Sequence, residues 1–232
     1  MAERAILMAA GMGTRLRPYT ADTPKPLLKV GEPALIETVI RALHTRGVKE
    51  IYIVTGYLGE QFAALTQKYE GITLLENTVY ETINNISSVY VAREVLRKGA
   101  CFICEADLLV TDAKLLCAEL KGSCYFGRFE EGFSDDWIFE RDANGIITRV
   151  GKGGTDVYNM AGISYWTAEE AAHLADCIER EYGAEGYEDL FWDDVVNMHI
   201  KEFALTVQPV TREQITEIDT VEEYEAARRA YE

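Results

Sequence analysis

The chain has 232 residues, 48% of them hydrophobic, which is enough to bury a proper core in one generously sized domain. Its 23 Lys and Arg face 39 Asp and Glu, a net charge of −16, which argues against nucleic acid or an anionic membrane surface as the main partner. No apolar run approaches the ~20 residues of a membrane span, and the start lacks the pattern of a signal peptide, so no membrane insertion and a cytoplasmic chain are expected.

The first half alternates strands and helices. Ala5 to Met8 is a short apolar run suited to a buried strand. Ala9 to Gly13 follows with almost no side-chain bulk, so a ligand can lie against bare backbone N–H groups, which bind anions when a turn aims them one way. Arg15 adds a bidentate phosphate donor. Lys25 stands between Pro24 and Pro26, which restrict its backbone and hold its ammonium as a fixed point charge. The loop is not a dinucleotide fingerprint, because Leu16 stands where the third glycine would be, and it lacks the Gly-Lys-Ser/Thr of a Walker A loop.

Further on, a helix is predicted from Pro33 to Arg46, with Leu35, Ile36, Val39, Ile40 and Leu43 on one stripe and Gly47 ending it. Ile51 to Thr55 reads as a strand, Glu60 to Lys68 as a helix, Ile72 to Leu75 as a strand, Ile86 to Leu96 as a helix, and Cys101 to Glu105 as a strand ending near Asp107. This alternation predicts an α/β, Rossmann-like, mostly parallel sheet with helices on both faces. The middle changes character. Ser123 to Phe129, Trp137 to Arg141 and Ile146 to Val150 read as strands, Asp142 to Gly145 as a hairpin turn and Gly151 to Gly154 as a flexible loop. Val157 to Trp166 is a further strand, Ala168 to Tyr182 and Leu190 to Ile200 are helices, Phe203 to Val207 and Ile215 to Ile218 are strands, and Val221 to Tyr231 is a closing helix. No repeat, low-complexity run or linker divides the chain. One domain over 1–232 is expected, with a nucleotide-binding part over about 1–122 and a β-rich lid or acceptor-binding insertion over about 123–200.

Of the five cysteines, Cys101 and Cys104 form a C-x-x-C inside a strand, where residues three apart point to opposite faces and cannot clamp one metal. All five are read as reduced, mostly buried thiols. His44, His173 and His199 are far apart in sequence and form no metal pattern.

In open parallel sheets, ligands lie beyond the carboxyl ends of the strands. Asp107 and Asp219 both fall at such ends and can meet there to hold one Mg²⁺, a hard cation that prefers carboxylate and phosphate oxygens. Asp219 reads equally as the N-cap of the last helix. Trp137, Phe191 and Trp192 lie near Asp135, Asp136, Glu188, Asp189, Asp193 and Asp194. Aromatic faces recognise a quaternary ammonium, at about 0.5–2 kcal/mol per contact. Carboxylates suit a primary ammonium, and the same rings serve equally as core filling. Lys152, in its glycine-rich loop, is placed to steer an acceptor phosphate or is simply solvated.

The run from Leu7 through Ala9-Ala10-Gly11-Met12-Gly13-Thr14-Arg15-Leu16, followed by Thr23-Pro24-Lys25-Pro26-Leu27, resembles the signature of nucleotidyltransferases that join an NTP to a phosphorylated metabolite. Asn84-Asn85-Ile86-Ser87-Ser88, Trp137, Phe191-Trp192-Asp193 and Glu217-Ile218-Asp219 are most similar to small bacterial choline-phosphate cytidylyltransferases, and the likeness runs essentially end to end. Leu108 departs from it, since a polar residue often follows the strand-end aspartate, and Met12 differs in detail.

The resemblance implies the nucleotide-diphospho-sugar transferase type of fold and a single displacement at phosphorus. An acceptor phosphate oxygen attacks the α-phosphorus and pyrophosphate leaves, with positioning and charge neutralisation supplying most of the catalysis. It implies that Lys25 binds the α-phosphate, that Arg15 and the Gly11 to Thr14 backbone hold the β- and γ-phosphates, and that Mg²⁺ sits on Asp107 and Asp219. For the base, Leu7, Ala9 and Ala10 offer backbone groups, and the segment containing Asn85 and Ser88 offers amides and hydroxyls, although Asn84 and Asn85 also read as turn residues. Trp137, Phe191, Trp192, Asp193 and Lys152 are the candidate acceptor contacts. The expected partners are CTP and phosphocholine. Phosphoethanolamine or 2-aminoethylphosphonate as acceptor, a sugar-1-phosphate enzyme, a catalytically silent sensor and a homodimer all stay open.

Overall fold

A computed structural model describes residues 2–231. Along the chain it runs β1 (Arg4–Ala9), α1 (Leu35–Arg46), β2 (Glu50–Thr55), α2 (Ala63–Lys68), β3 (Ile72–Glu76), α3 (Ile86–Leu96), β4 (Cys101–Glu105) and β5 (Leu108–Val110). It continues through β6 (Cys124–Arg141), β7 (Ile147–Trp166), α4 (Ala168–Glu181), α5 (Trp192–Met198), β8 (Thr206–Pro209), β9 (Ile215–Glu217) and α6 (Val221–Tyr231). Seven strands form the main sheet in the order β3-β2-β1-β4-β7-β6-β8. β1 to β4 are parallel, β7 turns antiparallel against β4, and β6 pairs antiparallel with β7. β5 and β9 form a separate antiparallel pair.

The inner strands are apolar on both sides because both sheet faces are covered. On one face, Ala5, Leu7 and Ala9 pack with Ile36, Val39, Ile40 and Leu43 of α1. On the other, Ile6 and Met8 pack with α3, α4 and α5. Each fully buried aliphatic side chain contributes roughly 1.5–3 kcal/mol. Cys101 and Cys104 fall in opposite layers, as strand alternation requires, and the five cysteines are free thiols, with Cys117 exposed. No helix among the described residues is long and apolar enough to cross a membrane.

Several boundaries differ from the sequence reading. α1 begins at Leu35, with Ala34 as its cap and Glu37 accepting from the Ala34 N–H at 2.9 Å, so Pro33 lies outside it. The helix read over Leu190 to Ile200 is shorter, Trp192–Met198, with a separate 3₁₀ turn over Ile200–Glu202. The predicted strand at Phe203 starts later, at Thr206. The largest difference is in the middle, where the short strands and the Gly151 to Gly154 loop are two long, bulged strands of one hairpin. Gly154 sits in β7 because a Cβ there would come within 3.0 Å of Val157, a close approach that local pattern does not reveal. Ile138 and Phe139 pair with two stretches of β7, around Gly151 and around Asn159, so the hairpin folds back on itself. The turn at Asp142 is as read: Asp142 Oδ1 accepts from the Asn144 and Ile146 N–H groups, and Gly145 takes φ +84°.

Candidate active site

The loop after β1 and the ends of β4 and β9 converge beyond the carboxyl edge of the parallel strands. Gly13 has φ +58° and ψ +37°, and a Cβ there would sit 2.9 Å from the Lys25 Cβ, so a side chain is excluded. A Cβ at Gly11 would meet nothing within 4 Å, which leaves that backbone open to a ligand. Met8, Ala9, Ala10, Gly11, Gly13 and Thr14 line a cavity of about 280 Å³. Arg15, Lys25, Asn85 and Ser88 share its wall. Ser88 is held by the Asn77 side-chain amide at 3.1 Å, and Asn85 Oδ1 accepts the Trp192 backbone N–H at 2.9 Å.

Two of the nucleotide candidates do not line this cavity. Leu7 is fully buried, and its strand is paired on both sides, with Ile53 and with Cys104, so the sheet engages its backbone groups. The Met12 side chain is exposed and does not line the cavity, which leaves its backbone, between Gly11 and Gly13, as what it can offer.

Lys25 opens a 3₁₀ turn, Lys25–Leu27, with Pro24 before it and Pro26 after. Its Nζ lies 2.5 Å from Asp107 Oδ2 and 2.8 Å from Asp219 Oδ1. Arg15 donates to the same Asp219 oxygen at 2.8 Å. Burial works against the lysine charge, but Asp107 and Asp219 outweigh it and hold its pKa above the ordinary value. Asp219 is not the cap of α6. Thr220 Oγ1 accepts the Glu223 N–H at 3.2 Å, Glu223 reaches back to the Asp219 and Thr220 N–H groups, and the Asp219 carboxylate is left facing the cations.

The donor set fits a hard divalent cation. Oxygens of Asp107, Glu217 and Asp219 lie within 4.8 Å of one another, and Asp107 Oδ1 is buried with no hydrogen-bond partner. Glu217 was not among the sequence candidates for this set. Burial, reinforced by Asp107 and Asp219, pushes its carboxyl up to about 8. Glu105, half-buried at the wall of both cavities, is also raised, first by burial and then by Asp107 and Glu217. The adjacency of Glu217 to Asp219 in the C-terminal strand was visible in sequence; its approach to Asp107 was not. Leu108, the departure noted above, is buried in β5 against Gly162, where a Cβ would come within 2.8 Å of it.

A second cavity, of about 590 Å³, adjoins the first and shares Gly11, Arg15, Asn85 and Glu105 with it. Trp137, Phe191, Asp193 and Lys152 line it, together with Asp135 and Asp136. The Trp137 and Phe191 rings meet edge to face at 5.4 Å, and Lys152 Nζ lies 5.9 Å over the Trp137 ring. Trp192, expected beside them, is 3% exposed and packs in the core near Tyr125 and Trp166, at 5.8 and 6.2 Å between centroids. Phe191 is the extended cap before α5 and lines the cavity, whereas Trp192, the first helical residue, is buried. Asp193 is buried and accepts from Tyr125 Oη at 2.8 Å, and burial raises its carboxyl to about 7. Arg128, which the sequence reading missed, is half-buried with its Nε unpartnered, and burial lowers its pKa despite the nearby Glu217 and Asp136. A lone arginine in an amphipathic strand carries no local signal.

A glycine-lined turn, a lysine clamped between two aspartates and a carboxylate triad thus meet at the strand ends. The chain belongs to the nucleotidyl transferase family, which it matches over residues 4–119. It is 50% identical over 227 residues to the 2-aminoethylphosphonate cytidylyltransferase of Lancefieldella rimae, covering 98% of this chain and 92% of that protein. It is 34% identical to the choline-phosphate cytidylyltransferase of Streptococcus pneumoniae, covering 95% of each chain. The solved structure of the Streptococcus pneumoniae CTP:phosphocholine cytidylyltransferase superposes with a TM-score of 0.90 at 32% identity, over the full length of both chains.

Proposed function

We propose that this enzyme transfers CMP from CTP to a small zwitterionic acceptor, an aminoalkyl phosphonate or phosphate, with 2-aminoethylphosphonate the first choice and phosphocholine the second. The observation that carries the transfer is the convergence of Lys25, Arg15 and the Asp107–Glu217–Asp219 set where the two cavities meet. Base identity rests on the cytidylyltransferase relatives, which span nearly the whole chain.

The Gly11 to Thr14 backbone and Arg15 take the β- and γ-phosphates in this reading, and Lys25 takes the α-phosphate. An acceptor oxygen forms the new bond to the α-phosphorus as the bond to the leaving pyrophosphate breaks. The acceptor oxygen is already anionic, so no side chain has to remove a proton. Lys25, poised among carboxylates, stays charged through the step and stabilises the added negative charge. Asp107, Glu217 and Asp219 would hold Mg²⁺, which supplies charge neutralisation between nucleotide and acceptor.

The second wall supports this acceptor order. With Trp192 in the core, Trp137 and Phe191 are the two rings left to face an ammonium, whereas Asp135, Asp136, Asp193 and Glu105 supply acid. A primary ammonium donates hydrogen bonds to such groups; a trimethylammonium has none to donate. The edge-to-face ring pair supports phosphocholine as the second reading.

The test is pyrophosphate release with each NTP against 2-aminoethylphosphonate, phosphoethanolamine, phosphocholine and sugar 1-phosphates. Highest kcat/KM with CTP and a primary-amine acceptor is expected. Preference for phosphocholine would reverse the order of the two acceptors, and turnover only with a sugar phosphate would overturn the reading.

A further inference from the structure

α4 carries a second set of ligating side chains that share no residue with either active-site cavity. His173 and Cys177 stand four residues apart, one turn along one face of the helix. The sequence reading took the histidines as unrelated, yet the fold brings His173 and His199 onto one carboxylate, Glu202 of the 3₁₀ turn Ile200–Glu202. His173 Nε2 lies 2.8 Å from Glu202 Oε2 and 3.8 Å from Cys177 Sγ. Ligand atoms of the three side chains all lie within 4.8 Å of one another.

We propose that His173, Cys177 and Glu202 form a binding site for one borderline-soft divalent cation, best matched by Zn²⁺, with solvent as the fourth ligand. A thiolate, an imidazole and a carboxylate are zinc donors, in contrast to the all-oxygen set around Asp107. Zinc bond lengths place neighbouring ligand atoms roughly 3.3–3.6 Å apart in a tetrahedron. The sulfur–nitrogen gap needs a small closure and the nitrogen–oxygen gap a small opening.

The supporting contacts are already in place. Glu202 Oε1 meets His199 Nδ1 at 2.8 Å, and His199 Nε2 meets Glu181 Oε1 at 2.9 Å. This chain braces the carboxylate from behind and leaves Oε2 to the cation, as hydrogen bonds around metal sites do. His173 and Glu202 border a surface cavity that gives an entry path, while Cys177, next to His173, is buried. Burial pushes the thiol up to about 11, so the metal, not the environment, generates the thiolate. On binding, the Cys177 proton and the proton between His173 and Glu202 leave to solvent, and three lone pairs coordinate the ion. An ion-pair network, with Arg180 4.0 Å from Glu202, accounts for the histidines, and core packing accounts for the burial of Cys177, but neither requires its sulfur to face His173 Nε2. The ion would tie α4 to the segment that follows α5, the helix whose first turn holds Asp193.

Metal-free full-length protein titrated with cobalt(II) chloride is the test, because cobalt on a thiolate gives a near-ultraviolet charge-transfer band. The band is expected to saturate at one equivalent, to bleach when zinc is added, and to persist in Asp107→Asn and Cys117→Ser. It should vanish in Cys177→Ser, and His199→Ala should weaken cobalt affinity about tenfold or more. Absence of the band, or its loss in Cys117→Ser with retention in Cys177→Ser, overturns the site. If Cys177→Ser does not fold, Glu202→Gln, altered at a side chain with 42% exposure, decides: unchanged cobalt affinity there overturns it equally.

Discussion

The proposed phosphate cradle and the proposed acceptor wall meet at one junction but are assembled in opposite ways. The cradle comes from one contiguous stretch, Met8 to Pro26, joined by Asn85, Ser88 and strand-end carboxylates. Its backbone is bare at Gly11, and prolines flank its lysine. The wall is collected from distant places: the hairpin around Asp136 and Lys152, the start of α5 at Phe191, and the end of β9 at Glu217. Phosphate binding depends on local backbone geometry, so consecutive residues encode it. Acceptor choice depends on which side chains a long hairpin and a short helix turn toward one another.

Trp192→Ala tests that contrast most strongly. As a buried core indole it should cost about 3–5 kcal/mol of stability, seen as a large fall in Tm, with acceptor KM nearly unchanged in whatever protein remains folded. A Tm close to that of the parent with a raised acceptor KM would place Trp192 on the wall after all and erase the distinction between its side chain and that of Phe191.

Lys25→Ala probes the junction from the cradle side. Removing one preorganised charge at the reacting phosphate should lower kcat by about 10²–10³-fold, with a much smaller change in the KM for nucleotide. Loss confined to KM would make Lys25 a binding residue and leave Arg15 as the main cationic group acting on the reaction.

These expectations separate what was legible in the sequence from what was not. The α/β alternation, the closing helix and the cradle were readable because each depends on local periodicity, glycine or proline. Leu7 was a candidate for its backbone groups, yet strand pairing on both sides engages its strand. The long hairpin was not readable, because its glycines look like a loop until the packing against Val157 is known. Glu217 joins Asp107 only through the pairing of β9 with β5, and His173 reaches His199 only through Glu202. For Glu217 and His173 the missing information was a contact between residues distant in the chain.

Asp193 gives the smallest effect and the sharpest measure of how dry the wall is. Burial, with Asp194 adding like charge, raises its carboxyl from 3.8 to about 7, although the Tyr125 hydroxyl works the other way. Between these two values the folded protein holds a proton that the unfolded chain has lost. Stability therefore falls as pH rises through that window, by at most ~1.4 kcal/mol per pH unit from this group. Above about 7 both states are ionised and the contribution to the slope ends; below 3.8 both are protonated. Asp193→Asn keeps an acceptor for Tyr125 and removes the titration. Urea unfolding of both proteins should therefore show their stability difference shifting toward the variant as pH rises through the window, then levelling off. Parallel pH profiles would mean that Asp193 is ionised where it sits. The wall would then be as well solvated as an open surface, and its carboxylates would discriminate weakly between a primary and a quaternary ammonium.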